Sequence, residues 1–184
     1  MAEAGKVIAI VQARMGSTRL PGKVMRPMGG VPMIERLLAR LARARRVDGI
    51  WLATSEAPAD DALAEHVRKL GYEVFRGSES DVLARFQGAA AAAGAGTVIR
   101  ITGDCPLVDP GLVDAAVEDY ARGGAEYLSN VAPPSFPDGL DLEIFSARAL
   151  ATAAREARAP AEREHVTPYL RESGRFTTRN RAHA

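Results

Sequence analysis

The sequence predicts an α/β fold with a largely parallel sheet covered on both faces. Three observations carry that prediction. Short β-rich runs alternate with longer amphipathic ones, the apolar positions of the first long run recur at three- and four-residue steps, and no low-complexity tract or helical repeat interrupts the rhythm. At 184 residues, with 47% apolar and 26% charged residues, the chain has the length and the globular balance for one domain with a sizeable core, expected over residues 1–184.

VIAIV at 7–11 opens the chain as a strand, and PMIERLLARLARARR at 32–46 follows as a helix. Its Ile34, Leu37, Leu38 and Leu41 make one apolar stripe, with arginines elsewhere. GIWLAT at 49–54 returns to strand and DALAEHVRKLG at 61–71 to helix, a βαβα beginning. YEVF at 72–75, DVLARFQGAAAAAG at 81–94 and TVIRIT at 97–102 continue the alternation, which implies parallel strands with helices on both faces. After Pro110 comes one more helix, GLVDAAVEDYARGG, and then the rhythm changes. EYLSNV, a PPSFPDG loop, a strand LDLEIF and helical segments around 146–157 and 161–172 read as a mixed continuation of the same domain. The proline-rich loop at 133–137 is a surface excursion or a subunit contact, so a homodimer is among the expectations.

The formal charge of +1 supplies no overall basic field for nucleic acid or an anionic membrane, so any cluster of cations is local and suits a small anion. A single cysteine, Cys105, excludes an intrachain disulfide and a thiolate cluster for zinc, which fits a reducing cytoplasm. The apolar run VIAIV, preceded by Glu3, is too short for a signal peptide core or a membrane span, and a cytoplasmic location is expected.

One stretch stands apart. VQARMGSTRLPGK at 11–23 carries three cations, and no acidic residue occurs between Glu3 and Glu35. In an open parallel sheet ligands sit beyond the carboxyl ends of the strands, where this stretch lies. Gly16 and Gly22 let backbone approach a ligand, Arg14, Arg19 and Lys23 supply charge, and Ser17 and Thr18 supply hydroxyl donors, a set that suits a triphosphate. It is not a Walker A loop, because five residues separate Gly16 from Gly22 and Val24 follows the lysine, and no GxGxxG occurs. With 21 arginines against three lysines, Lys23 stands out as a compact point charge. The bland alternative is a solvated loop whose cations keep it soluble.

Taken with what lies downstream, QARMGSTRLPGK resembles the nucleotide-binding signature of the sugar cytidylyltransferases, the group that contains the CMP-sialate and CMP-Kdo synthetases, and within it the spore coat polysaccharide biosynthesis protein F branch. The likeness continues through RGSESDVLARF at 76–86, RITGDCPLVDP at 100–110, YLSN at 127–130, PDGLDLEIFS at 137–146 and EREHVTPYL at 162–170, and so covers nearly the whole chain. The resemblance implies a single-domain glycosyltransferase-A-like, Rossmann-like nucleotidyltransferase fold that couples CTP to a sugar acid or related sugar, with release of pyrophosphate, in surface polysaccharide biosynthesis. It implies that Arg14, Gly16, Ser17, Thr18, Arg19 and Lys23 hold the triphosphate, that Arg14, Lys23 and Asp104 serve catalysis, and that Asp104 ligates Mg²⁺.

Read from the residues alone, Asp104 follows the strand TVIRIT, where a carboxylate can meet a metal-bound triphosphate, and it also suits a simple G-D-x-P turn. Asp81 stands where it can cap a helix or contact the nucleotide. Asn130, Asp138, Asp141 and Glu143 are candidate sugar contacts, with Asp141 and Glu143 on one face of the strand LDLEIF as metal ligands or an exposed edge. Cys105 is a small side chain in a tight turn, His165 with Glu164 opens a helix, and His66 is a surface residue. Family members continue into a further strand with a Val-Asp-Thr-like segment whose aspartate helps hold the metal, whereas the sequence here ends at Ala184. Asp141 or Glu143 substitutes for that carboxylate, or water completes the shell, or the chain is a truncated and weakened enzyme; a non-catalytic nucleotide-binding subunit is the rival from another class. A nucleotidyltransferase using another NTP is the rival within enzymes.

Overall fold

A computed structural model describes residues 5–17 and 20–183. One seven-stranded sheet organises the chain. β1 (Lys6–Gln12) lies near its middle, and a two-stranded hairpin of β2 (Pro27–Met28) and β3 (Val31–Pro32) precedes α1 (Met33–Leu41). β4 (Gly49–Ser55), α2 (Asp61–Lys69), β5 (Glu73–Gly77), α3 (Val82–Ala92), β6 (Ala95–Thr102) and α4 (Pro110–Ala121) carry on the alternation. β7 (Tyr127–Ser129), β8 (Glu143–Ser146), α5 (Ala147–Glu156), α6 (Pro160–His165), α7 (Pro168–Glu172) and β9 (Thr178–Asn180) complete it. The strand order is β5-β4-β1-β6-β8-β7-β9, and only the pairings of β8, with β6 and with β7, are antiparallel. The parallel α/β prediction therefore holds, and so does the change to a mixed pattern in the second half.

Alternation along the strands decides which side chains face which helices. Ala9 and Val11 pack with Leu52, Ile99 and the stripe Ile34, Leu37, Leu38 and Leu41 of α1, while Ile8 and Ile10 face Leu83 and Phe86 of α3 and Leu150 of α5. Both clusters are almost fully buried, so the sheet is covered on both faces.

Three predicted elements run differently, the first two because side chains take over backbone hydrogen bonds. α1 stops at Leu41 instead of reaching Arg46, since the Arg45 and Arg46 amides donate to the Asp114 carboxylate of α4 at 2.8 and 2.9 Å. The strand expected at 140–145 begins only at Glu143, because the Asn130 side chain receives the Leu142 amide at 2.9 Å and donates to the Leu140 carbonyl at 2.8 Å. Asp141 therefore sits on a loop and does not share a strand face with Glu143. The helical segment at 161–172 is two helices parted by Val166, whose φ of 71° turns the chain while the Thr167 amide donates to the His165 carbonyl at 2.8 Å.

In chain order β1 leads to β4 on one side, whereas β6 returns to its other side. The loops after β1 and β6 thus diverge at a switch point in strand order, where an open α/β sheet leaves a crevice.

Candidate functional site

The loop after β1 is folded around one residue. The Met15 carbonyl accepts from the amides of both Ser17 and Gly22 at 2.9 Å, and the Met15 amide donates at 2.6 Å to Asp60, a carboxylate only 2% exposed. Asp60 also accepts from the Ser55 amide at 3.2 Å and from the Ser55 hydroxyl, so the end of β4 and the loop after β1 share one anion. Gly22, at φ 69°, lets the chain close into a short turn from Lys23 to Met25, which buried Val24 anchors. From there Lys23 reaches across the crevice.

On the facing side Gly103 is obligatory. Its amide donates to the Gln12 carbonyl at 2.7 Å, and a Cβ there would stand 2.7 Å from Ala13 Cβ and 2.9 Å from that same carbonyl oxygen. Asp104 follows and meets Lys23 at 2.8 Å. Between the two loops lies an open cleft of about 280 Å³, lined among others by Gln12, Arg14, Gly16, Ser17, Lys23 and Asp104. The residues quoted from the opening stretch are thus brought together wherever they are described. Thr18 and Arg19 lie outside the described residues.

The cations that lacked acidic neighbours in sequence have distant partners in space. Arg14 pairs with Glu79 at 3.2 Å and Lys23 with Asp104. All four side chains keep a quarter or more of their surface exposed, so these pairs are weak and exchangeable, and phosphate oxygens can replace the carboxylates as partners. Burial pushes the Asp104 carboxyl up, yet hydrogen bonds from Lys23 and Thr102 outweigh it and leave Asp104 below its ordinary range. Asp104 therefore stays an anion in the cleft.

Asp104, Asp138 and Asp141 line a second opening beside it, together with Thr102 and Cys105. Burial, followed by the charges of Asp138, Glu143 and Asp104, raises the Asp141 carboxyl. Crowded acids of this kind suit a hard divalent cation. Among the described residues no three His, Cys, Asp or Glu side chains close around a common point, so a cation here would depend on one or two carboxylates, phosphate oxygens and water, as Mg²⁺ does.

Other candidates have different partners. Asn130 is 2% exposed and spends its amide on the Leu140–Leu142 backbone, which leaves it no free face for a sugar. Glu143 is buried, with one oxygen on Arg100 and the other receiving the Tyr127 hydroxyl at 2.5 Å, so both of its oxygens are engaged within the protein. Asp81 caps α3 through the Ala84 amide at 2.9 Å and pairs with Arg163, and it is not among the residues that line the cleft. His66 is only partly exposed and faces Glu35 at 3.2 Å. Cys105 is buried in the turn after β6, against the Thr102 hydroxyl.

A third cleft adjoins the first two and is lined by Arg100, Thr102, Asp141, His165, Thr167 and Arg171. Thr102 lines all three, which makes the end of β6 their junction. Sequence reasoning missed Asp60, Glu79, Gln12 and Arg100, because each acts through a partner far away in sequence.

Comparison with known proteins places the chain in one family. The family described as Cytidylyltransferase matches residues 8–181. The Bacillus subtilis spore coat polysaccharide biosynthesis protein SpsF is 39% identical over 170 residues, which are 90% of this chain and 70% of that protein. A 3-deoxy-manno-octulosonate cytidylyltransferase of Geobacter sulfurreducens is 35% identical over 121 residues, 65% of this chain and 47% of its own length. The solved structure of a cytidylyltransferase from Leptospira borgpetersenii superposes with a TM-score of 0.91 at 36% identity, covering 97% of this chain and 76% of that one. No described helix is long and apolar enough to cross a membrane.

Proposed function

Because the chain belongs to the cytidylyltransferase family, with sugar cytidylyltransferases among its relatives, we propose that it transfers the cytidylyl group of CTP to a hydroxyl of a sugar acid or related sugar and releases pyrophosphate. The observation that carries this reading is the cleft at the switch point, where Lys23 and Arg14 rest on exchangeable carboxylates.

The acceptor oxygen forms its bond to the α-phosphorus as the bond from that phosphorus to the bridging β-phosphate oxygen breaks, and the hydroxyl proton leaves to solvent at the open mouth. Lys23 and Arg14 turn from Asp104 and Glu79 to the phosphates and stabilise the charge that grows on departing pyrophosphate. Gly16 and Gly22 keep the loop backbone close to those oxygens, and Ser17 adds a hydroxyl donor. Asp104, with Asp141 beside it, would hold Mg²⁺, which when bound supplies positive charge to the phosphates. The acceptor enters by the third cleft, beside Asp141 and His165. A CMP-sugar product suits surface polysaccharide assembly, and a cytoplasmic site and a homodimer belong to the same proposal.

A pyrophosphate-release screen of CTP, ATP, GTP and UTP against a panel of sugar acids with Mg²⁺ tests it. Release with CTP and one class of sugars is expected, and Asp104→Asn should suppress it. Binding of CTP with no release from any sugar would overturn transfer in favour of a non-catalytic nucleotide-binding role.

A further inference from the structure

Gln12 ends β1 on the wall of the nucleotide cleft and was not singled out by its sequence context. Its Oε1 accepts from Arg100 at 3.1 Å. An arginine offers donors only, so the carbonyl end of the Gln12 amide must face Arg100 and the NH₂ end is left to donate elsewhere. Arg100 is itself fixed. Its other terminal nitrogen meets Glu143, which in turn receives the buried Tyr127 hydroxyl, and its guanidinium lies 6.0 Å from the centre of the Phe86 ring. A chain of bonds across β7, β8, β6 and β1 therefore sets the orientation of one neutral amide at the edge of the sheet.

The position of that amide narrows what it can meet. Gln12 pairs in register with Thr102, the residue common to all three clefts, and its partner Arg100 lines the third cleft while Gln12 lines the first. Gln12 thus stands where the two clefts join. In an in-line transfer the phosphorus under attack must lie within reach of both the nucleotide site and the acceptor site. In the proposed transfer that phosphorus belongs to the α-phosphate, because Lys23 and Arg14 are assigned to the departing pyrophosphate.

We infer that Gln12 is a further substrate-binding residue, which donates a hydrogen bond from its Nε2 to a non-bridging oxygen of the α-phosphate of CTP, with Arg100 and Glu143 as the positioning residues that hold its amide in that sense. The inference rests on the proposed use of CTP but needs no acceptor for its test.

Phosphorus NMR of CTP bound to the full chain reads each phosphate separately. Binding should move all three resonances in the wild-type protein. Gln12→Met, which keeps the length and apolar stem and removes the donor, should cancel most of the α-phosphate displacement, leave those of the β- and γ-phosphates, and raise the Kd measured by calorimetry about tenfold, as for one lost bond to a charged group. Gln12→Ala is the second variant and should reproduce the pattern. An α-phosphate resonance displaced as in the wild type, in either folded variant, would overturn the assignment, and so would equal loss at all three phosphates, which would mark Gln12 as a support of the whole cleft. Failure of the wild-type chain to bind CTP would overturn this inference and the proposed function together, whereas binding without turnover would overturn only the transfer reading.

Discussion

Asp60 ties the loop after β1 to the end of β4, and its removal should injure folding and nucleotide binding together. The side chain is 2% exposed, with Oδ1 on the Met15 amide at 2.6 Å and Oδ2 on the amide and hydroxyl of Ser55. Asp60→Asn keeps the volume but has one acceptor oxygen, so whichever way the amide turns, its NH₂ group confronts a donor of Met15 or of Ser55. The change removes a hydrogen bond to a charged group, about 1.5–3 kcal/mol, and leaves a buried donor unpaired at about 1–3 kcal/mol, for a total of roughly 2.5–6 kcal/mol. With a urea slope of about 2 kcal/mol/M, the unfolding midpoint should fall by about 1–3 M. Freed at Met15, the loop that carries Arg14, Gly16 and Ser17 must be ordered by the ligand itself, so the Kd for CTP should rise as well. Urea melts followed by tryptophan fluorescence and calorimetric titration of CTP measure the two effects. An unchanged midpoint would refute the hydrogen-bond reasoning, and a lowered midpoint with unaltered CTP affinity would show that Asp60 supports β4 without tethering the loop.

Lys23→Ala should reduce pyrophosphate release on the order of 10²-fold, because the charge proposed to meet phosphate is lost, while the thermal midpoint stays nearly constant, because the half-exposed pair with Asp104 contributes about 0–1 kcal/mol. Gly103→Ala should destabilise the chain by about 1–3 kcal/mol and weaken CTP binding, since its Cβ would force Ala13 and the Gln12 carbonyl away by clashes at 2.7 and 2.9 Å; a soluble variant with normal urea midpoint and affinity would contradict the close packing of the two loops. Asp81 is pushed up by burial and held down by Arg163 and the Ala84 amide, with the net result below its ordinary range. A carboxylate with a depressed folded-state pKa gives stability that is present above its unfolded-state value and lost as pH falls through the folded one. Acid melts should therefore show wild-type stability declining below the ordinary carboxylate range more steeply than in Asp81→Asn, and parallel declines would remove Asp81 from the acid response.

The fold was legible because its information is local and periodic. Ile34, Leu37, Leu38 and Leu41 have helical spacing, and the alternation of Ile8 and Ile10 with Ala9 and Val11 fits strands buried on both sides. The position of the cleft was legible for a related reason: glycines, hydroxyls and cations crowd into residues 14–23 just after the first strand, and strand order decides that such a loop faces the crevice. The supports of that loop could not be read in the same way. Glu79 is 65 positions from Arg14, Asp60 is 45 from Met15 and Asp104 is 81 from Lys23, so no window along the chain contains both members of a pair.

The misread strand at 140–145 follows from the same cause, and it bears on the chemistry. LDLEIF alternates as a strand should, yet the Asn130 amide, with one donor and one acceptor in a plane, takes the hydrogen bonds of Leu140 and Leu142 that a ladder partner would have used. Periodicity reports where side chains want to be buried, and it cannot report that a side-chain amide has replaced a neighbouring strand. Because pairing begins only at Glu143, that residue turns inward to Arg100 and Tyr127, while Asp141 stays on the loop and lines the opening it shares with Asp104. Had the strand run from Leu140, both carboxylates would occupy one face and neither the Arg100 brace nor the separate acidic rim would exist in this form. A buried asparagine thus divides two acids of similar sequence context between two tasks, one in the frame that orients Gln12 and one at the mouth where a cation and the phosphates would meet.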